Sequence, residues 1–272
     1  MNRVRALVIT SQPVPSLAVA ALTGLLAAQA APHGTGPVLA APALLAGQLS
    51  IGWSNDACDA GRDAAAGRTD KPLARGDISL PAVWTAAGVG AAAGLAMALL
   101  IGPLTAALYA LGVVAGWAYN LGLKSTPWSG AMYVVGLGSL PAYAASTLPG
   151  QPAPRWPVLL AAALLGLGAH FANVLPDLAA DRVTGVGGLP QRVAARWGHG
   201  AVRAAAVVLL LAASAALLLG STRRWVAVPG LVAALVLAAA SARGNGSVPF
   251  LAAIGIAAVD VLLFAAGREA LA

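Results

Sequence analysis

Apolar residues fall along this chain in nine blocks, each long enough to cross a bilayer as a helix. A membrane-spanning helix needs about 20 mainly apolar residues. By that ruler the spans are 8–30, 37–57, 79–101, 103–123, 128–148, 156–176, 200–220, 224–242 and 248–266. Arg3, Arg5 and the small-residue run Ala28-Gln29-Ala30 give the first block a likeness to a signal peptide. Pro13 and Pro15 interrupt its start and the run is long for such a segment, so a retained first helix is expected. Several blocks are dense in Ala and Gly, as at Gly88-Val89-Gly90-Ala91-Ala92-Ala93-Gly94, and small residues let transmembrane helices approach closely. This feature is structural, not catalytic.

The polar positions between the blocks set an orientation. With nine spans, one side of the membrane holds Arg3, Arg5, Arg62, Arg68, Lys71, Arg75, Lys124, Arg182, Arg192, Arg196, Arg203 and Arg243. The other side holds only Arg155, Arg223, Arg224 and Arg268. Basic residues accumulate on the cytoplasmic side, which places the N-terminus in the cytoplasm and the C-terminus outside. Trp53, Trp84, Trp117, Trp128, Trp156, Trp197 and Trp225 mostly fall near span ends, as an aromatic belt does.

Composition agrees with the pattern. Only 9% of the 272 residues are charged and 59% are hydrophobic, against roughly 25% charged in a soluble domain. The mean hydropathy is +0.81. The chain is therefore an integral membrane protein in contact with the lipid bilayer. Its net charge of +7 comes from basic residues scattered over short loops, which argues against nucleic acid as a partner. The single cysteine, Cys58, excludes an intrachain disulfide and reads most simply as a small buried hydrophobe.

The acidic residues carry the chemistry. Seven of the nine, Asp56, Asp59, Asp63, Asp70, Asp77, Asp177 and Asp181, fall in two short windows, and only Asp260 and Glu269 lie elsewhere. Scarce but clustered acid in a membrane protein marks a site. The first window reads Asn55-Asp56-Ala57-Cys58-Asp59-Ala60-Gly61-Arg62-Asp63. On a helix, Asn55, Asp59 and Asp63 share one face, about 6 Å apart along the axis. Oxygen ligands in that array suit Mg²⁺, whose octahedron phosphate oxygens can complete. The second window repeats the spacing with Asn173, Asp177 and Asp181. Pro176 either kinks the helix before Asp177 or begins the loop. Both windows close a cytoplasmic end of a span and precede a basic loop. Two such oxygen clusters suggest two Mg²⁺ sites flanking one polyanion, for which a diphosphate is the obvious candidate.

At these residues the sequence resembles the UbiA-type superfamily of membrane prenyltransferases. Asn55, Asp56, Asp59 and Asp63 match its Asn-Asp-x-x-Asp-x-x-x-Asp signature, and Asp177 and Asp181 match its Asp-x-x-x-Asp signature. The run from Lys71 through Asp77 to Ser79 looks like the loop after its first motif. Tyr119 and Lys124 resemble its Tyr…Lys element, at a spacing slightly different from the commonest form. Leu189-Pro190 through Gly198 looks like the loop after its second motif.

The resemblance spans the whole chain and implies an all-α polytopic membrane protein, a single domain over 1–272 with nine transmembrane helices around a central cavity. It implies that Asn55, Asp56, Asp59, Asp63, Asn173, Asp177 and Asp181 hold Mg²⁺, with Asp59, Asp63, Asp177 and Asp181 the catalytic carboxylates. The donor implied is a prenyl diphosphate contacted by Arg62, Lys71, Tyr119 and Lys124, and the acceptor a small molecule with an electron-rich aromatic ring. Trp117, near Tyr119, is the candidate for lining the prenyl tunnel. Two rivals stand beside this reading: an intramembrane terpene cyclase of the same architecture, and a cation-coupled transporter. The transporter predicts carboxylates at the bilayer midplane on broken helices, whereas these windows lie at span ends.

The remaining polar residues have plainer readings. His170 is placed to face the cavity, yet a lone histidine is more often a hydrogen-bonded helix residue. Asp260 sits inside the ninth span as either a functional group or a helix-packing one. Asp70 and Asp77 belong to an ordered loop over the site, and Arg223-Arg224 forms an interfacial anchor.

Overall fold

The computed structural model describes residues 2–30, 35–178, 181–182, 185–221, 224–243 and 248–266. Arg223, Arg268 and Glu269 lie outside the described residues. All regular structure among those described is helical. The helices are α1 (Arg3–Thr10), α2 (Pro13–Ala30), α3 (Thr35–Ala65), α4 (Leu80–Ile101), α5 (Pro103–Asn120), α6 (Ser129–Gly138), α7 (Leu140–Ser146), α8 (Trp156–Val174), α9 (Leu189–Trp197), α10 (His199–Gly220), α11 (Arg224–Arg243) and α12 (Val248–Ala266). By length and apolar composition, four of the described helices can cross a membrane: α4, α8, α10 and α11.

Three boundaries differ from the sequence expectation, and each has a local cause. The first block is two helices, because the chain bends at Ser11-Gln12 and restarts with Pro13. Proline suits a helix start, since its missing N–H would have no partner there. The block at 128–148 also divides, into α6 and α7 with Ser139 between them. Pro141 in the first turn of α7 cannot donate back into α6. Helix α3 runs past the expected end at residue 57 to Ala65. Its 31 residues reach about 46 Å at 1.5 Å per residue, longer than the ~30 Å hydrocarbon core. That excess length lets its C-terminal turns carry charge beyond lipid.

The chain forms two compact units, residues 1–121 with 146–149 and residues 122–145 with 150–272. In the first unit α3 is central, packed on α2, α4 and α5. Its polar groups are paired internally, as a span requires where water is absent. Trp117 Nε1 donates to Ser50 Oγ at 3.0 Å, and Ser50 Oγ donates to the Ala87 carbonyl at 2.7 Å. Asn120 Nδ2 donates to the Ile51 carbonyl at 3.0 Å and to Ser54 Oγ at 2.8 Å. Trp117 also meets Trp84 edge to face, with ring centroids 5.8 Å apart. These bonds tie α3, α4 and α5 together and occupy the polar end of Trp117.

Small residues let these helices close up. A Cβ at Gly94 of α4 would overlap the Tyr109 hydroxyl and lie 2.7 Å from the Ala43 carbonyl oxygen of α3. Backbone cannot yield as a side-chain tip can. Gly94→Ala is therefore expected to destabilise the fold by about 1–3 kcal/mol through overpacking, read as a lower thermal midpoint in detergent. An unchanged midpoint would refute this account of the α3–α4 contact.

In the second unit α8 packs on α6 and α10, and α11 packs on α12. Its core joins Leu165 and Phe171 of α8, Val202 and Leu210 of α10, and Ile256 of α12. Asp260 is fully buried and accepts a hydrogen bond from Ser214 Oγ, which joins α12 to α10. Among the described tryptophans, Trp128, Trp156, Trp197 and Trp225 are exposed, as an interfacial belt requires.

Candidate active site

The first acidic window is helical throughout, forming the last turns of α3. Asn55, Asp59 and Asp63 are all half-buried on it. Asp59 pairs with Arg62 one turn on, at 2.9 Å. Burial pushes the Asp63 carboxyl above its ordinary value, an effect opposed by Lys71 and reinforced by the neighbouring charge of Asp59. The charge of Asp59 thus repels that of Asp63 in partly desolvated surroundings, an arrangement that a hard cation relieves. The residues fit the expected Mg²⁺ in donor type. Among the described residues, no three His, Cys, Asp or Glu side chains converge enough to hold a metal by themselves.

Asp56 stands apart from that array. It is 2% exposed, and its Oδ1 accepts from Lys71 Nζ at 2.7 Å and from Gln12 Nε2 at 3.2 Å. Its neighbour Lys71 opens the loop after the motif. That loop is ordered by backbone bonds from Arg75 N to the Lys71 carbonyl, Gly76 N to the Leu73 carbonyl and Asp77 N to the Pro72 carbonyl, at 3.2, 3.1 and 3.0 Å. Bidentate contact from Arg68, at 2.8 and 2.7 Å, holds the exposed Asp70 carboxyl well below the usual carboxylate range. Arg75 engages Asp77 through one oxygen, with Nε 2.8 Å and Nη2 2.6 Å from Oδ2. Tyr119, in the last turn of α5, is half-buried.

In the second unit, Pro176 ends α8. The helix stops at Val174, Leu175 through Asp177 form a turn, and Leu178, Asp181 and Arg182 are helical again, so the proline interrupts the helix within the window. Asp177 N donates to the Val174 carbonyl at 3.0 Å, and Asp181 N donates to the Asp177 carbonyl at 2.8 Å. Asp177 and Asp181 are thus a helical turn apart, while Asn173 belongs to the end of α8. Asn173 and Asp177 are exposed, and Asp181 is half-buried. Gln191 Nε2 donates to Asp181 Oδ2 at 2.7 Å.

Lys124 lies half-buried on the short 3-10 turn Leu123–Ser125. The loop after the second window packs against it, with Gly188 seated on the Lys124 carbonyl. His170 does not open onto a cavity. It is 1% exposed, bonded through Nε2 to Ser129 Oγ at 2.9 Å and stacked on Tyr133 at 4.6 Å. Ser129 Oγ also accepts from Leu189 N at 2.8 Å, so His170 is part of the anchorage for the first turn of α9. Gln12, Ser129 and Gln191 were not singled out by the sequence. Each is an uncharged residue whose partner lies at least ten positions away, which no local pattern encodes.

The UbiA prenyltransferase family pattern matches residues 16–263. No curated protein matches the chain. Among solved structures, that of digeranylgeranylglyceryl phosphate synthase is similar with a TM-score of 0.74 at 14% identity, over 98% of this chain and 99% of that one. The apo structure of a UbiA homologue from Aeropyrum pernix K1 gives 0.72 at 20% identity, over 97% and 98%. A UbiA homologue from Archaeoglobus fulgidus bound to DMAPP and Mg²⁺ gives 0.72 at 16% identity, over 97% and 99%. The structural likeness establishes the fold, and with two acidic windows on an all-helical membrane chain the family match, covering most of its length, carries the assignment. This chain belongs to the UbiA prenyltransferase family.

Proposed function

We propose that this prenyltransferase transfers an isoprenyl group from a prenyl diphosphate to an electron-rich aromatic acceptor, with Mg²⁺ as cofactor. The observation that carries the reading is the repeated Asn…Asp…Asp spacing of two acidic windows in a chain of this family. Support comes from the Archaeoglobus fulgidus homologue, which binds DMAPP or GPP together with Mg²⁺. We assign Asn55, Asp59 and Asp63, with Asn173, Asp177 and Asp181, as the Mg²⁺ ligands, and residues 1–272 as one transmembrane domain. The N-terminus and both windows are assigned to the cytoplasmic side from the distribution of basic residues.

When bound, Mg²⁺ neutralises charge growing on the departing diphosphate. The chain's own cations share that work. Arg62, Lys71, Lys124 and the Tyr119 hydroxyl are the groups we assign to diphosphate oxygens. Lys71 has three N–H donors, and its bond to Asp56 occupies one. Asp56 thereby orients Lys71. As the allylic C–O bond breaks, its electron pair leaves with diphosphate and the allylic cation is captured by the acceptor ring, which then loses a proton. Apolar helix faces exclude water that would otherwise quench the cation.

The test is diphosphate release by purified protein in detergent, with geranyl, farnesyl and geranylgeranyl diphosphates, with and without aromatic acceptors. Acceptor-dependent release is expected. Release without acceptor, with a cyclised product, would move the chain to the cyclase reading, and no release from any donor would favour cation transport. Excess chelator is expected to remove activity and added Mg²⁺ to restore it. Turnover that persists in chelator would overturn the metal assignment.

A further inference from the structure

We propose that Gln12 is a positioning residue of this site, holding Asp56 and, through it, Lys71 and the loop 66–79. The chain bends between α1 and α2 at a residue with φ of 52°, a left-handed conformation that a β-carbon disfavours and that glycine or asparagine adopts most readily. Neither of those could do what Gln12 does. Its side chain extends to Asp56 and donates to Oδ1 at 3.2 Å. Asparagine, one methylene shorter, falls short of that reach. The carboxamide orientation follows from its partner, since a carboxylate accepts and the nitrogen is the group that donates.

The bend itself is seated on the helix that carries the first window. The Ser11 carbonyl packs against Gly52, where a Cβ would collide with it. One residue further along α3, Trp53 Nε1 donates to the Leu7 carbonyl at 2.9 Å. These contacts fix where Gln12 starts. The far end of the chain of contacts is the loop. Lys71 meets the same Asp56 oxygen at 2.7 Å, Pro72 beside it is fully buried, and the turn that orders residues 71–77 is built on their two carbonyls. Two donors from different segments therefore meet on one buried carboxylate oxygen. With both present the carboxylate is held from two directions; with one it can rotate, and Lys71 moves with it. Gln12, Asp56 and Lys71 all belong to the first unit.

The inference rests on the prenyltransferase reading for what the loop serves, and not for how the loop is held. Its test therefore has two arms on the purified full chain. Limited trypsin digestion reads the loop directly, through cleavage after Arg68 and Arg75; the Lys71–Pro72 bond resists trypsin. Steady-state kinetics with geranyl diphosphate, Mg²⁺ and an aromatic acceptor reads the site. Gln12→Asn keeps a residue that tolerates the left-handed backbone but loses the reach. Gln12→Gly relieves the backbone altogether, so a folding failure is avoided.

Losing a long hydrogen bond while Lys71 still holds the same oxygen predicts loop cleavage about 3- to 10-fold faster in both variants, the scale of an ordinary net hydrogen bond. KM for the donor should rise by a similar factor while kcat changes less. Unchanged cleavage in both variants would overturn the proposal. So would a parallel fall in kcat and thermal stability without a change in KM, which marks a purely structural hinge. If the wild-type protein releases diphosphate from no donor, the prenyltransferase reading fails, and the cleavage arm alone decides whether Gln12 holds the loop.

Discussion

Asp59→Ala and Asp177→Ala are each expected to lower turnover by at least about 10²-fold, the scale on which removing one group that stabilises departing charge is felt. The fold should survive both changes. Asp59 pairs with Arg62 at the end of α3, where the side chains are 13% and 39% exposed; exposed pairs one turn apart contribute about 0.3–0.5 kcal/mol, and the lower exposure of Asp59 places this pair above that range. Asp177 lies exposed just after α8, outside the packed core. Thermal midpoints near wild type with activity near background would support direct roles for both carboxylates. Wild-type turnover in either variant would sink the metal assignment, because the argument needs both windows. Asp59→Asn adds a finer test, since a carboxamide keeps the shape and an oxygen while removing the charge. Its activity should lie close to that of the alanine variant if charge is what the site requires.

Much of this was legible in the sequence because membranes simplify the code. A chain that must satisfy its backbone within lipid forms helices, and apolar blocks near 20 residues long locate them. Two of the three boundaries that differed were set by prolines acting on single bonds. Pro13, Pro141 and Pro176 each stop or restart a helix within a block that composition alone reads as continuous. The two windows were legible because like charges four residues apart violate local preference and so point to a ligand. Their internal differences were not. Asp56 and Asp59 are both carboxylates of one signature, yet one is enclosed by Lys71 and Gln12 while the other meets Arg62. That distinction depends on segments folded back from residues 12 and 71, and no spacing within the signature contains it. His170 followed the plainer of its two readings. Its register with Asn173 and Asp177 allows a place facing the cavity, and the packing of Ser129 and Tyr133 around it makes it the hydrogen-bonded helix residue that a lone histidine more often is.

Lys71→Met should reveal this difference as a loss of stability in addition to the loss of turnover expected for a diphosphate contact. The Asp56 side chain is 3% exposed and that of Lys71 22%, so the pair is largely removed from water. Removing one partner leaves a carboxylate enclosed with only the longer bond from Gln12 at 3.2 Å. Breaking a buried pair from one side destabilises by about 3–5 kcal/mol; the partial exposure of Lys71 places the expected value at the low end of that range. Thermal and denaturant unfolding in detergent measures it. Asp56→Asn should be milder, because a carboxamide carries no charge to strand and its oxygen can still accept from both donors. The double variant Asp56→Asn/Lys71→Met should then be more stable than Lys71→Met alone, since the uncompensated charge has gone. A double variant as unstable as the sum of the single ones would mean that the two residues act independently, and Lys71 would return to being a diphosphate contact with no structural share. The opposite result separates the two carboxylates of one motif by physics: Asp56 holds Lys71 and its loop, whereas Asp59, paired with Arg62, is left to the metal role proposed for it.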